Sequence, residues 1–258
     1  MIDFTVGMYV KLLETLKSDG YNFQTYASFI RNPKPKSVIL RHDVDTTPSN
    51  SLQFAQIESE MNIMGTYYFR VNHESTDSQI IKDIYDLGHE IGYHYETVDT
   101  ADGDIDDAWH QFETNLDWIR TLAPVETICM HGSPRSRYDN KQLWEKYDYR
   151  DFGIIGEPYI DLDFQFIFYL TDTGRKWDGW KTSIRDKVSQ QSEWMSKGLV
   201  FHTSNEIMDA VRHSILPDSV MITLHPQRWH SKFLPWVNEL VTQNIKNLVK
   251  FILLIRNR

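Results

Sequence analysis

Four short apolar runs in this chain each close on acid or imidazole. "SVILRHDVD" ends with Asp43 and Asp45, "HEIGYHYE" with His94 and Glu96, "TICMH" with His131, and "SVMITLHP" with His225. Runs of this length, rich in Val, Ile and Tyr, have the character of strands. A strand turns successive side chains to opposite faces, so Arg41, Asp43 and Asp45 share one face while His42 and Val44 share the other. Packing alone gives no reason to place polar residues at the same edge of four strands. In parallel barrels the C-terminal strand ends carry the chemistry. The pattern therefore points to a fold in which these four ends meet.

The segments between the runs have the helical period. Tyr9, Leu12, Leu13 and Leu16 follow i, i+3, i+4, i+7 spacing, and Gly20 ends that helix. Thr47 and Pro48 read as the N-cap and first residue of a helix running to about Met61. Ile80, Ile81, Ile84 and Leu87 mark another helix closed by Gly88, and Trp109, Phe112, Leu116 and Ile119 a further one. With "GTYYFRV", "FGIIGE" and "FQFIFYLTD" the strands number seven. Strands separated mostly by helices predict an α/β fold of parallel units, as an open doubly wound sheet or a barrel. No repeat or low-complexity linker interrupts them, so residues 1–258 read as one domain. Residues 1–35 form a helical lead-in and 233–258 a C-terminal helix.

A net charge of −9 argues against nucleic-acid or general anionic-membrane binding. One cysteine, Cys129, excludes an internal disulfide and fits a reducing compartment. No run of 18 apolar residues spans a bilayer, and no basic segment followed by an apolar one marks a secretion signal, so a cytoplasmic location is expected. The stretch "LVKFILLIRNR" is apolar and basic. It reads as a last helix packed on the core rather than as a membrane-surface segment.

Each polar constellation has two readings. Asp-x-Asp at a strand end suits a metal ligand beside a base, or else a helix cap and a salt bridge to Arg41. His94 and Glu96 point to one side of their strand and are the residue types of zinc sites; a lone strand histidine is otherwise structural. His131, before a Gly-Ser-Pro turn, is a third ligand, a partner orienting a base, or a turn histidine bonded to backbone. His225, fixed by Pro226, suits a general acid protonating a leaving amine. "YLTDTGRKWDGW" offers Asp172, Arg175 and Asp178 to order an ion pair or grip substrate. Trp177, Trp180 and Trp229 would stack on sugar rings or simply pack.

Over roughly residues 36–230 the chain resembles the polysaccharide deacetylase superfamily, which includes the nodulation-factor deacetylases. The resemblance is strongest at "RHDVD", "GHEIGYH" and "TLHP". It implies a distorted seven-stranded (β/α) barrel that hydrolyses N-acyl or O-acyl groups on sugars with one divalent metal. It further implies Asp43 as base, Asp45 and His94 as metal ligands, and His225 as general acid. Two departures stand out. The second metal histidine of that family falls at Val98, leaving Glu96, Asp99 or His131 to fill the role. "HGSP" stands where an arginine-proline motif is expected. These departures resemble a divergent branch linked to bacterial surface-polysaccharide synthesis.

The expected activity is metal-dependent removal of an N-acyl, chiefly N-acetyl, group from a sugar or sugar conjugate. Zinc is the metal a His-carboxylate site favours. Arg41, Arg175 and Asp178 are expected to bind or orient substrate. The rivals are another metal-dependent barrel hydrolase, acting on ester or phosphate bonds, and a catalytically inactive carbohydrate-binding protein.

Overall fold

The computed structural model describes residues 2–133, 136–178 and 188–256, the last eight of these as backbone only. In chain order, α1 (Val6–Ser18) leads to β1 (Asn22–Gln24), α2 (Tyr26–Arg31), β2 (Ser37–Val44), α3 (Pro48–Glu60) and β3 (Thr66–Phe69). Next come α4 (Ser78–Asp86), β4 (Glu90–Tyr95), α5 (Thr97–Thr100), α6 (Ile105–Arg120), β5 (Val125–Met130) and α7 (Pro158–Asp161). β6 (Phe168–Thr171), α8 (Gln191–Ser196), α9 (Ser204–Arg212), β7 (Ser219–Leu224) and α10 (Phe233–Arg256) complete the order.

All strand pairs are parallel, in the order β5-β4-β3-β2-β7-β6, with β1 added on β2. The α/β class and the seven strands expected from sequence are present, but one strand differs. "FGIIGE" contributes only an isolated bridge from Gly156 to Thr127, while Asn22–Gln24 supplies the seventh strand. β5 and β6, the ends of this order, do not pair with each other among the described residues; Tyr159 of α7, in the segment after β5, has its Oη 2.9 Å from Tyr169 Oη on β6. The parallel sheet is thus barrel-like, with an open seam between β5 and β6.

β2 is buried along its whole length. Its inner face carries Arg41 and Asp43, and its outer face sends His42 to Glu58 of α3, 2.9 Å away. Tyr9 and Tyr67 donate to the same Glu58 oxygen at 2.5 and 2.9 Å, which fixes α1 and α3 against the sheet. Inside the barrel Gly92 makes room for Tyr68. A Cβ there would lie 2.3 Å from the ring, which bonds Thr127 through its hydroxyl.

Thr47 precedes α3 as expected, yet its backbone is left-handed (φ 53°) and its side chain caps nothing. α10 departs further from expectation. Of its residues up to 248 only Gln243 is buried, so over that described stretch the helix is not packed on the core by an apolar face. Among the described residues no helix is long and apolar enough to cross a membrane.

Candidate active site

Sheet register brings the polar strand ends together. Leu224 pairs with His42, so His225 follows at the level where Asp43 and Asp45 leave β2. His94 pairs with Cys129, and beyond that pair the His131 amide donates to Tyr95 O at 2.8 Å. Four sequence-distant residues, Asp45, His94, His131 and His225, thus meet at one mouth of the barrel.

Asp45 is the centre. The Nε2 atoms of His94 and His131 each lie 3.7 Å from its Oδ1, and His225 Nε2 lies 3.8 Å from its Oδ2. Those gaps are too long for hydrogen bonds. Gln227 Nε2 donates to Oδ2 at 3.1 Å, whereas Oδ1 is buried and accepts from nothing among the described residues. Burial works against ionisation of Asp45, but His131, His225 and His94 outweigh it and hold its pKa below the ordinary value.

Each imidazole is oriented from behind. His94 Nδ1 is 2.9 Å from the Cys129 carbonyl, which leaves Nε2 free to face Asp45. His131 Nδ1 is 2.9 Å from Glu96 Oε2, and His225 Nδ1 is 2.6 Å from Asp172 Oδ1. Such outer partners fix tautomer and ring direction in metal-binding histidines. Burial lowers the pKa of His94 to about 4, Asp43 and Asp45 notwithstanding, so its ring is neutral. Burial also penalises charged His131, yet Glu96 and Asp45 raise its pKa overall.

Asp43 has a different environment. Arg41 donates to both its oxygens, from Nε at 2.8 Å and Nη2 at 2.7 Å, with both side chains buried. Burial would raise its pKa, but Arg41, His94 and His225 together hold it far below the carboxylate range. Its Oδ2 also lies 3.7 Å from His94 Nε2.

The remaining expected residues are placed as follows. Glu96 is held by Arg70 (2.7 and 3.0 Å) and Asn72 (3.0 Å); burial opposes its ionisation, but His131 and Arg70 outweigh that and draw its pKa to about 2. It stands behind His131 and does not face Asp45. Asp99 bonds Ser136 and Asn140, outside the cluster. Arg175 donates to Trp236 O at 2.9 Å and stacks on that ring, beneath α10, while Asp178 lies 3.2 Å from His202 Nδ1. Neither reaches the Asp45 cluster. Trp177 and Trp229 are buried, donating to Ser204 and Asp172, and so pack instead of presenting a sugar platform. Trp180 lies outside the described residues.

Sequence reading gave Asp172 only a general part in an ion pair. It receives the His225 amide at 3.0 Å, Trp229 Nε1 at 2.7 Å and Arg228 Nη1 at 3.1 Å, and is fully buried. Burial opposes its ionisation, and His225 and Arg228 overcome that and lower its pKa. Arg228, three residues after His225, and Arg70, behind Glu96, had no sequence signal beyond their charge.

Among the described residues no group of three His, Cys, Asp or Glu side chains is already drawn together as a metal cage. The donor chemistry nevertheless fits a divalent ion. Asp45 Oδ1 is an orphaned buried oxygen, and two imidazole Nε2 atoms with fixed outer partners face it. Two ligands of a tetrahedral ion with bonds of about 2.05 Å are roughly 3.4 Å apart. The 3.7 Å gaps would close by only a few tenths of an ångström, on the order of ordinary side-chain adjustment.

Two polar clefts flank the cluster. One, of about 270 Å³, runs from Asp45 past Gln227 and Arg228 to Glu239, Gln243 and Lys246 of α10. The other, of about 340 Å³, opens beside His131 between Arg70, Glu96 and Tyr138.

No family model matches the chain, and no curated protein matches it at a significant level. Solved structures similar to it include a CE4 family pseudoenzyme from Bacillus anthracis, at 13% identity and a TM-score of 0.44 over 85% of this chain. This chain spans 63% of the length of that protein. PdaA of Bacillus subtilis, a family 4 carbohydrate esterase, is similar at 14% identity and a TM-score of 0.41, covering 92% of this chain and 84% of its own. A mutant of the Bacillus subtilis peptidoglycan deacetylase PdaC is similar at 10% identity and a TM-score of 0.39, covering 85% and 98%.

Proposed function

We propose that this protein is a metal-dependent hydrolase that removes an N-acyl group, chiefly N-acetyl, from a sugar or sugar conjugate used in surface-polysaccharide synthesis. One observation carries the reading: Asp45 has an unpartnered buried oxygen faced by two oriented imidazoles, with Asp43 and His225 at its sides. The resemblance of "RHDVD", "GHEIGYH" and "TLHP" to polysaccharide deacetylases supports the substrate class.

In this proposal Asp45, His94 and His131 hold one divalent ion, zinc by donor type. Such an ion supplies Lewis-acid polarisation of the acyl carbonyl and makes water more acidic. Asp43 accepts the proton of the attacking water. Arg41 aims that carboxylate and keeps it ionised. His225 gives a proton from Nε2 to the departing amine, while Asp172 holds Nδ1 and stabilises the charged ring. The polar clefts on either side suit a hydroxyl-rich substrate.

Metal content by elemental analysis tests the centre. About one divalent ion per chain in the wild type, lost in His94→Ala, is the expected result. Asp43→Asn is expected to keep the ion and stop acetate release from N-acetylated sugars. An Asp43→Asn protein with undiminished turnover would sink the mechanism. A specific feature favours the rival binding protein: the Arg41 clamp makes Asp43 a weak base. Sugar binding with neither metal nor turnover would establish that rival. Turnover of esters or phosphates but not amides would establish the other.

A further inference from the structure

α10 is seated with its polar side inward. Trp236 Nε1 donates to Asp3 O at 2.8 Å, Asn247 Nδ2 donates to Gly174 O at 2.9 Å, and Gln243 is buried between them and bonded to Asn247. The opposite stripe is apolar and bare. Leu234, Val241, Ile245 and Leu248, spaced seven, four and three residues apart, are 78%, 52%, 59% and 60% exposed. Neighbouring Phe233 is 67% exposed. Isolated apolar residues on a surface are ordinary, but a continuous stripe along one helix marks a contact surface.

Charge selects what covers it. Residues 232–258 carry five Lys or Arg and one acid, Glu239, in a chain whose net charge is −9. Two copies meeting stripe to stripe would oppose two basic helices with almost no acid to answer them. An anionic lipid surface satisfies both the basic residues and the apolar stripe.

We propose that α10 docks this protein on an anionic bilayer surface. The helix lies in the interfacial plane, with Leu234, Val241, Ile245 and Leu248 among the acyl chains and Lys232 and Lys246 at the headgroups. Because Glu239, Gln243 and Lys246 also wall the cleft leading to Asp45, docking sets that cleft beside the lipid surface. The proposal stands independently of the reaction assigned to the cleft.

Sedimentation of the full chain with vesicles tests it, using phosphatidylcholine alone and with about one third phosphatidylglycerol. Partitioning to the anionic vesicles is expected to exceed that to neutral ones by tenfold or more and to fall with added salt. Leu234→Glu with Ile245→Glu, both on the bare stripe, should lower it at least tenfold while circular dichroism stays unchanged. Equal or absent binding to both vesicle types would overturn the proposal. So would a wild-type dimer, split by the same substitutions, that ignores the vesicles.

Discussion

Replacing Arg41 by methionine removes one half of a buried ion pair and leaves the shape of the barrel interior nearly intact. Asp43 is 3% exposed at its side chain, and both its strong donors come from Arg41. Its other nearby nitrogen, His94 Nε2, belongs to a ring that burial keeps neutral. An uncompensated buried carboxylate costs about 3–5 kcal/mol. For a chain of this size that corresponds to a fall in Tm of roughly 6–20 °C. The pH dependence gives a sharper test. In the wild type the Asp43 pKa is depressed in the folded state, so its contribution is complete above about pH 4 and is lost only below that. In Arg41→Met the guanidinium that chiefly opposes burial is gone and only His94 and His225 remain, so the folded pKa is expected to rise above the unfolded one. That variant therefore gains stability as pH falls through its folded value. Thermal unfolding from pH 7 down to about 5 should show the two proteins converging. Adding Asp43→Leu to Arg41→Met should recover most of the loss, since no charge is then stranded. A Tm within about 2 °C of wild type at pH 7, or a gap constant with pH, would refute the reasoning.

Two further perturbations follow from single contacts. Asp172→Asn keeps the size of the group behind His225 but removes the charge that stabilises a protonated ring, 2.6 Å from Nδ1. Acetate release should fall about 10²–10⁴-fold in kcat with KM little changed, and an unchanged kcat would remove Asp172 from the mechanism. Gly92→Ala places a Cβ 2.3 Å from the Tyr68 ring, which the hydroxyl bond to Thr127 holds in place. Urea unfolding should show a loss of about 1–3 kcal/mol, and a shift inside 0.5 kcal/mol or so would mean the ring yields freely.

The class of fold was legible because strand runs and helical stripes have different periods, and each run here is short and bounded. Alternation along "LRHDV" also placed Arg41 with Asp43 on one face and His42 on the other. What sequence hid was whatever depends on contacts between distant segments. Asp172 meets His225 across 53 residues. Glu96 looks like a ligand until Arg70, 26 residues earlier, is seen to occupy both its oxygens. "FGIIGE" has strand composition, yet past its bridge at Gly156 the chain turns into α7, which Glu157 caps by accepting from the Tyr159 and Ile160 amides. α10 misled through its period alone, which marks an apolar stripe without saying whether protein or something else lies against it.

Val98, which departs from the expected histidine, is best understood through the sheet. α5 is a four-residue helix whose first two residues are buried, and the Val98 amide is pinned to Asn140 at 3.0 Å. Val98 is fully buried in the apolar core, and a histidine there would put an imidazole where an aliphatic side chain now packs. The neighbouring strand offers a better position. β4 and β5 pair with His94 beside Cys129, and the bond from the His131 amide to Tyr95 O extends that pairing to the mouth of the barrel. A donor carried by a sheet register is set by two backbones, whereas one carried by a short helix turn depends on that turn alone. Glu96 then takes up the position behind His131 that orients its ring, which accounts for a carboxylate two residues beyond His94 that is not aimed at Asp45. In the proposed metal site the donor missing at Val98 comes from the end of the next strand, and His131→Ala should then lower metal content as completely as His94→Ala.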